Sequence, residues 1–222
     1  MKLPYRITVR VRRNRDGSKK SMLPVKSKYK IAKRLGASIF EQTQTQKFAL
    51  SEARATKSRP RRRGASDYGR QLLEKQRVRY TYGITETQLS NYVKKAYTTA
   101  DPSTSLHKML EMRADSIVYR AGLAPTRRAA RQIVSHGHIL VNGSRTTTPS
   151  HHVGKGSSIT VREGSRRSPL FTSQSEEGEG RQVPQWLSVD RDALTLQVTS
   201  EPQYTPTETI LDYPTVFEFY SR

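Results

Sequence analysis

Apolar residues recur at three- and four-residue spacing through the middle of the chain, which is typical of helices with one buried face. Matching start and stop signals accompany this spacing. Ser66 or Asp67 can cap a helix that ends at Gly83, and Thr85 with Gln88 has the form of a capping box for the next helix. The pattern therefore predicts a helical domain that begins near residue 66.

Two further helical segments are followed by strand-like alternation. The first lies between residues 104 and 122, and the second is capped by Thr126. Residues 138–141 and 158–161 then alternate as strands do, and Asn142-Gly143 suits a tight hairpin turn. Two helices that lead into a small hairpin predict a compact unit in which the helices pack on a short sheet.

Both ends of the chain also show alternation. Residues 6–12 alternate apolar with basic side chains, and Asp16-Gly17 is typical of a turn, so we expect a basic hairpin over residues 6–25. Near the other end, three segments are typical of strands: residues 186–189, 195–198 and 216–220. A lone Trp among alternating aromatics indicates that this end is packed.

The charge is large and unevenly distributed. Lys and Arg number 40 against 19 Asp and Glu, a net charge of +21. Residues 1–83 have a net charge of +19, residues 84–163 of +6, and residues 164–222 of −4. A strongly basic front favours a polyanionic partner such as RNA, whose condensed counterions are released on binding. We expect the acidic end to pack on the helical domain or on neighbouring proteins.

Several kinds of chemistry are excluded or disfavoured. The chain has no cysteine, which excludes disulfides, thiolate zinc sites and cysteine nucleophiles. No apolar run is long enough to span a bilayer and the start lacks the centre of a secretory signal, so we expect a soluble protein without a membrane partner. Four histidines suggest a metal site, but no nearby carboxylate or cysteine completes it, and we predict no metal and no cofactor: His136, His138, His151 and His152.

Five segments carry a family resemblance. Three resemble the RNA-binding module named after small-subunit ribosomal protein S4: residues 110–120 (LEMRADSIVYR), 126–134 (TRRAARQIV) and 138–143 (HILVNG). Two upstream segments are similar to the helical domain of that ribosomal protein itself: residues 66–76 (SDYGRQLLEKQ) and 82–89 (YGITETQL). The resemblance to the S4 ribosomal protein family covers residues 28–222.

The resemblance implies a structural constituent of the small ribosomal subunit without catalytic activity. Its implied partners are small-subunit rRNA, which it binds early in assembly, neighbouring small-subunit proteins, and mRNA at the entry channel. The amino-acid sequence of the module is similar to that of plastid and cyanobacterial members. This similarity implies a location in the plastid stroma, with the bacterial cytoplasm as the alternative. Lys28-Tyr29-Lys30 departs from the family's Gly-Pro start, and the absence of cysteine departs from members that hold a metal there.

These inferences predict an α+β fold in three parts. Residues 1–65 form a basic, partly extended N-terminal region that orders along RNA. Residues 66–105 form a helical domain that residues 164–222 complete. Residues 106–163 form the S4-type module, with two helices packed on a short twisted sheet.

The predicted RNA contacts are mostly arginines. Arg127, Arg128 and Arg131 are expected on the outer side of the module's second helix, since planar guanidinium groups can bridge phosphate oxygens. The alternative is that they pair with Asp115, Glu111 or Glu163 on the protein. The complete predicted set is Arg61, Arg62, Arg63, Arg70, Lys75, Arg77, Arg113, Arg127, Arg128, Arg131, His136, His138 and Asn142.

Two other functions are compatible with an S4-type module. An RNA-modifying enzyme would need a catalytic domain, for which the chain leaves no room. A ribosome-associated factor would not need the helical domain upstream of the module.

Overall fold

The computed structural model describes residues 23, 25, 27–58, 66–172, 183–207 and 209–221. The predicted N-terminal hairpin, except Leu23 and Val25, and the run Arg61 to Arg63 lie outside these residues. The described chain divides into two compact units. The helical unit comprises the described residues up to Ser103 and those from Thr205 onward, and the mixed unit comprises Thr104–Tyr204.

The helical unit contains five helices and two short 3-10 turns within the described residues. Its elements are α1 (Lys28–Leu35), the turns Ala37–Ile39 and Glu41–Thr43, α2 (Gln46–Ser58), α3 (Asp67–Tyr82), α4 (Glu86–Ala96) and the C-terminal α10 (Tyr213–Tyr220). The local signals act as predicted. The Ser66 hydroxyl accepts from the Gly69 amide, Gly83 ends α3 in the left-handed conformation (φ 62°), and Thr85 and Gln88 form both bonds of a capping box.

The C-terminal helix corrects one prediction. Residues 216–220 were predicted as a strand, but they lie in α10, whose first turn is capped by Asp212 through a 3.2 Å bond from the Thr215 amide. Tyr213, Val216, Phe217 and Tyr220 are buried at helical spacing. Their contacts with α3 and α4 determine the conformation, because a short apolar run is compatible with either a helix or a strand.

The C-terminal helix is fixed to the helical unit by hydrogen bonds as well as by burial. The Tyr97 hydroxyl donates to the Phe217 carbonyl at 2.7 Å, and Gln71 donates to Glu218 at 3.0 Å. The hydroxyls of Tyr82 and Tyr213 lie 3.2 Å apart. These contacts join residues far apart in sequence, so the helical unit is closed by the last described residues of the chain.

The mixed unit packs helices on one antiparallel sheet. Its elements are α5 (Pro102–Glu111, which begins just before Thr104), α6 (Ala114–Arg120), α7 (Arg127–Ser135), β1 (Ile139–Val141), β2 (Ser144–Thr146), β3 (Ser158–Val161), α8 (Glu163–Arg166), α9 (Pro169–Thr172), β4 (Leu187–Asp190) and β5 (Thr195–Val198). The strand order is β2-β1-β3-β5-β4. This arrangement confirms the predicted α+β class.

The hairpin turn forms where the sequence predicts it. Asn142 and Gly143 both have positive φ, 48° and 80°, as a tight turn between β1 and β2 requires. The Asn142 side chain accepts from the Ser158 amide at 2.9 Å, which joins the turn to β3. Asn142 therefore has a structural task in the sheet.

The domain boundary differs from the predicted one. Residues 164–222 were assigned to the helical domain, but β4 and β5 belong to the sheet of the mixed unit. The register explains this, because Leu196 lies opposite Ile159 and both are fully buried. Burial of apolar side chains on the core face of the sheet holds these strands there. Only the segment from Thr205 joins the helical unit.

Candidate nucleic-acid interface

A buried ion-pair network connects the helices of the mixed unit. Arg113 is 2% exposed and donates to both carboxylate oxygens of Asp115, at 2.9 and 2.7 Å. Arg131, one turn inside α7, donates to Asp115 through Nε and Nη2 at 3.0 and 2.9 Å. One carboxylate at the start of α6 therefore holds two guanidinium groups from different segments.

A second carboxylate holds the first turn of α7. Glu111 accepts two bonds from Arg120, at 2.9 and 2.8 Å, and one from Arg127 at 3.3 Å. The Arg127 guanidinium also lies 4.6 Å from the centre of the Tyr119 ring. Burial alone would raise the pKa of Glu111, but the positive charges of Arg127 and Arg120 outweigh it and hold the pKa far below its usual range.

These contacts correct the predicted orientation of α7. Arg127 and Arg131 were expected on the outside of the helix, but their side chains are only 15% and 12% exposed and both are paired with carboxylates. Their spacing of four residues places them on one side of α7, which faces Glu111 and Asp115. These two arginines therefore pair with carboxylates of the protein, which is the alternative stated above. Arg128 lies between them in sequence and is exposed.

The predicted basic residues of α3 divide in the same way. Lys75 is 10% exposed, donates to Glu86 at 3.1 Å and lies 4.1 Å above the Phe219 ring. Arg77 pairs with Glu74 and donates to the Leu35 carbonyl. These two side chains are therefore engaged inside the helical unit.

Arg70 lies nearer the start of α3 and differs from the two residues that follow it. Its side chain is 64% exposed, and an ion pair joins it at 3.5 Å to Asp67, whose side chain is 79% exposed. Exposed pairs of this kind contribute little to stability and are easily exchanged for another anion. Arg70 is accessible to a partner.

His136 and His138 lie at the end of α7 among basic residues that sequence reasoning did not single out. Arg145 donates to the carbonyls of His136 and Gly137, both at 3.2 Å. Arg162 follows β3, and its amide donates to the His138 carbonyl at 2.8 Å. The available sequence signal for Arg145 is its position two residues after the Asn142-Gly143 turn, and in the structure it lies opposite the half-exposed Leu140 across the hairpin.

Within the described residues, no group of three or more His, Asp or Glu side chains is arranged to hold a metal ion. The same part of the chain contains no helix that is long and apolar enough to cross a membrane.

Family models match segments of both compact units. The family described as ribosomal protein S4/S9 N-terminal domain matches residues 25–112, and the S4 domain matches residues 112–159. Among the curated relatives, small ribosomal subunit protein uS4 of Borrelia turicatae is 38% identical over 203 residues, which cover 88% of this chain and 96% of the relative.

Two other relatives give the same result at higher identity over shorter spans. Protein uS4 of Dehalococcoides mccartyi is 42% identical over 167 residues, which cover 74% of this chain and 79% of the relative. Protein uS4 of Persephonella marina is 43% identical over 158 residues, which cover 70% and 77%. The matches span both compact units, and the chain belongs to the ribosomal protein S4 family.

Proposed function

We propose that this protein is a structural constituent of the small ribosomal subunit and binds small-subunit rRNA through exposed basic side chains on two folded units. Family membership confirms the prediction that the chain is not an enzyme. The family also favours this function over a role as a ribosome-associated factor, since its relatives are named as subunit proteins.

One observation carries the proposal: burial removes the acids of the module from its surface and leaves basic residues exposed. Of the three acids between residues 104 and 167, Glu111 and Asp115 are buried in ion pairs, and Glu163 alone is exposed. Six basic residues of the same span are exposed: Arg128, Arg145, Lys155, Arg162, Arg166 and Arg167. A polyanion is the partner that fits this surface.

The two groups of arginines have different tasks in this proposal. The inner arginines, Arg113, Arg127 and Arg131, connect α5, α6 and α7 and keep the surface in one shape. The outer residues contact phosphates. Among the three predicted arginines of α7, Arg128 is the one that belongs to this outer group. A rigid surface loses little conformational entropy on binding, so it suits recognition of RNA shape and phosphate positions at a folded junction.

The remaining predicted contacts fit the same division. Arg70, His136 and Asn142 are exposed and are proposed to face RNA, with His138 half-buried beside His136. Lys75 and Arg77 are proposed to act through the helical unit, because their charges are paired within it. Arg61, Arg62 and Arg63 are proposed to extend the contact along RNA, on the ground of their charge alone.

The finer role is proposed from the family resemblance. It comprises early binding during assembly, a position lining the mRNA entry region with mRNA as a further partner, and contacts with neighbouring small-subunit proteins. A plastid location rests on the amino-acid sequence of the module, whereas the relatives named above are bacterial. The bacterial cytoplasm therefore stays the alternative.

Purification of ribosomes from the source organism tests the proposal. A structural constituent sediments with small subunits at about one copy per subunit and stays bound in a high-salt wash, because contacts buried within the assembled subunit keep it in place although salt weakens each phosphate contact. Recovery of only a small fraction of a copy per subunit, lost in the same wash, would instead indicate an associated factor. A well-retained small-subunit protein from the same preparation serves as the stoichiometry standard.

A further inference from the structure

A cluster of basic side chains lies where the end of α7 meets β1, β2 and α8 of the mixed unit. We call this cluster the α7–α8 corner, and its members are His136, His138, Arg145, Arg162 and Arg166. The rings of His136 and His138 are 6.0 Å apart between centres. Arg166 donates to the carbonyl of Val161, the residue before Arg162, at 3.4 Å.

Arg145 holds its place in the corner because Gly137 has no side chain. Its guanidinium donates to the last carbonyls of the α7 end and lies directly over Gly137, where any Cβ would overlap it. Gly137 also has a φ of 73°, a conformation that favours glycine. The glycine between His136 and His138 thus leaves room for the guanidinium, and Arg145 is still exposed after making these bonds.

His138 occupies the inner side of the corner. Its Nδ1 lies 2.9 Å from the Ser165 hydroxyl, and its ring meets Phe171 edge to face at 6.3 Å. Partial burial lowers the pKa of His138, and the positive charges of His136, Arg162 and Arg145 lower it further. Both effects favour the neutral form of the His138 imidazole in the free protein.

Three neighbours of His138 carry or can carry positive charge. The end of α7 contributes His136, β2 contributes Arg145, and the residue after β3 is Arg162; α9 contributes only the Phe171 ring. The acid on α8 is the exposed Glu163, which forms no ion pair with the corner. None of the five corner residues is in an ion pair within the described part of the chain. An anion is the partner that this arrangement lacks.

We propose that the α7–α8 corner binds a phosphate of the RNA backbone and takes up a proton as it does so, which makes RNA binding tighter at lower pH. This inference rests on the proposed function and adds a regulatory property to the same surface. The guanidinium of Arg145 can bond phosphate oxygens, and a protonated imidazole adds a charged donor beside it.

The direction of the pH effect follows from linkage. A bound phosphate replaces the repulsive surroundings of His138 with an attractive charge, so it raises the pKa of His138 in the complex above its value in the free protein. Affinity then increases as the pH falls through the pKa of the bound form, and the increase is complete below the pKa of the free form.

The test measures binding of the full-length protein to a transcript of small-subunit rRNA from the genome that encodes it, at constant salt between pH 6 and pH 8. We expect the dissociation constant of the unmodified protein to be about three- to tenfold lower at pH 6 than at pH 8, which corresponds to average uptake of about a quarter to a half of a proton. His138→Gln should remove most of this change. His151→Gln replaces an exposed histidine outside the corner and should keep it.

NMR titration of His138 with and without RNA gives a second readout, which a loss of folding in the variant would not mimic. A raised His138 pKa in the complex supports the inference. Affinity that does not depend on pH, or a pH dependence that survives in His138→Gln, overturns the inference while the proposed function stands. Absence of rRNA binding at every pH would overturn the proposed function itself.

Discussion

Replacement of Asp115 by Ala should unfold the mixed unit at a much lower temperature. Asp115 is the shared partner of Arg113 and Arg131, whose side chains are 2% and 12% exposed. Removal of the carboxylate leaves two guanidinium groups without their bidentate partner, one of them fully buried. Breaking a buried ion pair from one side costs about 3–5 kcal/mol.

This loss of free energy is large compared with the total stability of a domain. A domain of this size is typically stable by about 5–15 kcal/mol, so the substitution removes a large share of the free energy of unfolding. At about 4–8 °C per kcal/mol for a unit near 100 residues, a loss of 3 kcal/mol already lowers the Tm by about 12 °C or more. Thermal unfolding followed by circular dichroism and by calorimetry measures the change.

The matched control is Arg128→Ala, which alters an exposed residue of α7 next to the ion-pair network. It should change the free energy of unfolding by less than about 0.5 kcal/mol. It should also weaken rRNA binding and reduce the logarithmic salt slope by about 0.7–0.9, as loss of one phosphate contact does. If Asp115→Ala unfolds at the same temperature as the unmodified protein, the division between structural and RNA-facing arginines is wrong.

Three further substitutions or conditions test separate parts of the structure. Gly137→Ala should displace the Arg145 guanidinium, reducing the salt slope of RNA binding measured by titration and lowering the Tm through strain at a positive φ. Tyr220→Phe removes a 2.6 Å bond to the Glu86 carboxylate and should cost about 1.5–3 kcal/mol in denaturant unfolding. The arginines beside Glu111 lower its pKa, so its contribution to stability is present above its unfolded-state pKa and is lost as the pH falls through its folded-state pKa. Glu111→Gln should therefore destabilise the protein more at pH 7 than at pH 2, each time compared with the unmodified protein at the same pH.

Each of these tests has an internal comparison. Tyr80→Phe is the control for Tyr220→Phe, since the Tyr80 ring contacts Phe40 and its hydroxyl forms no hydrogen bond within the described residues. Equal losses in both variants would contradict the role given to the Glu86 bond. An unchanged salt slope in a folded Gly137→Ala protein would remove Arg145 from the RNA surface, and a Glu111→Gln effect of equal size at both pH values would contradict the ion-pair account.

Local signals predicted much of the fold. The caps at Ser66 and Thr85 and the turn at Asn142-Gly143 depend on residues within a few positions of one another, so the sequence alone was enough to predict them. The C-terminal segment was predicted incorrectly because residues 216–220, in which only Glu218 is charged, suit a strand or a helix, and their contacts with α3 decide between them.

The functional surface was predictable in kind but not in detail. Helical spacing showed which side of α7 is apolar, but it could not show that two carboxylates from α5 and α6 face the polar side. Arg127 and Arg131 were therefore placed in solvent. Long-range pairing was also invisible to local patterns, and the assignment of β4 and β5 to the mixed unit depends on the register with β3.

Crosslinking of native small subunits, with the crosslinked peptides identified by mass spectrometry, tests the central claim most directly. The account predicts rRNA crosslinks at the exposed residues Arg128, Arg145 and Arg162, and none at the buried Arg113. It also predicts that this pattern is retained after a high-salt wash. Small subunits that lack the protein, or rRNA crosslinks that avoid the exposed basic surface of residues 104–167, would contradict the account.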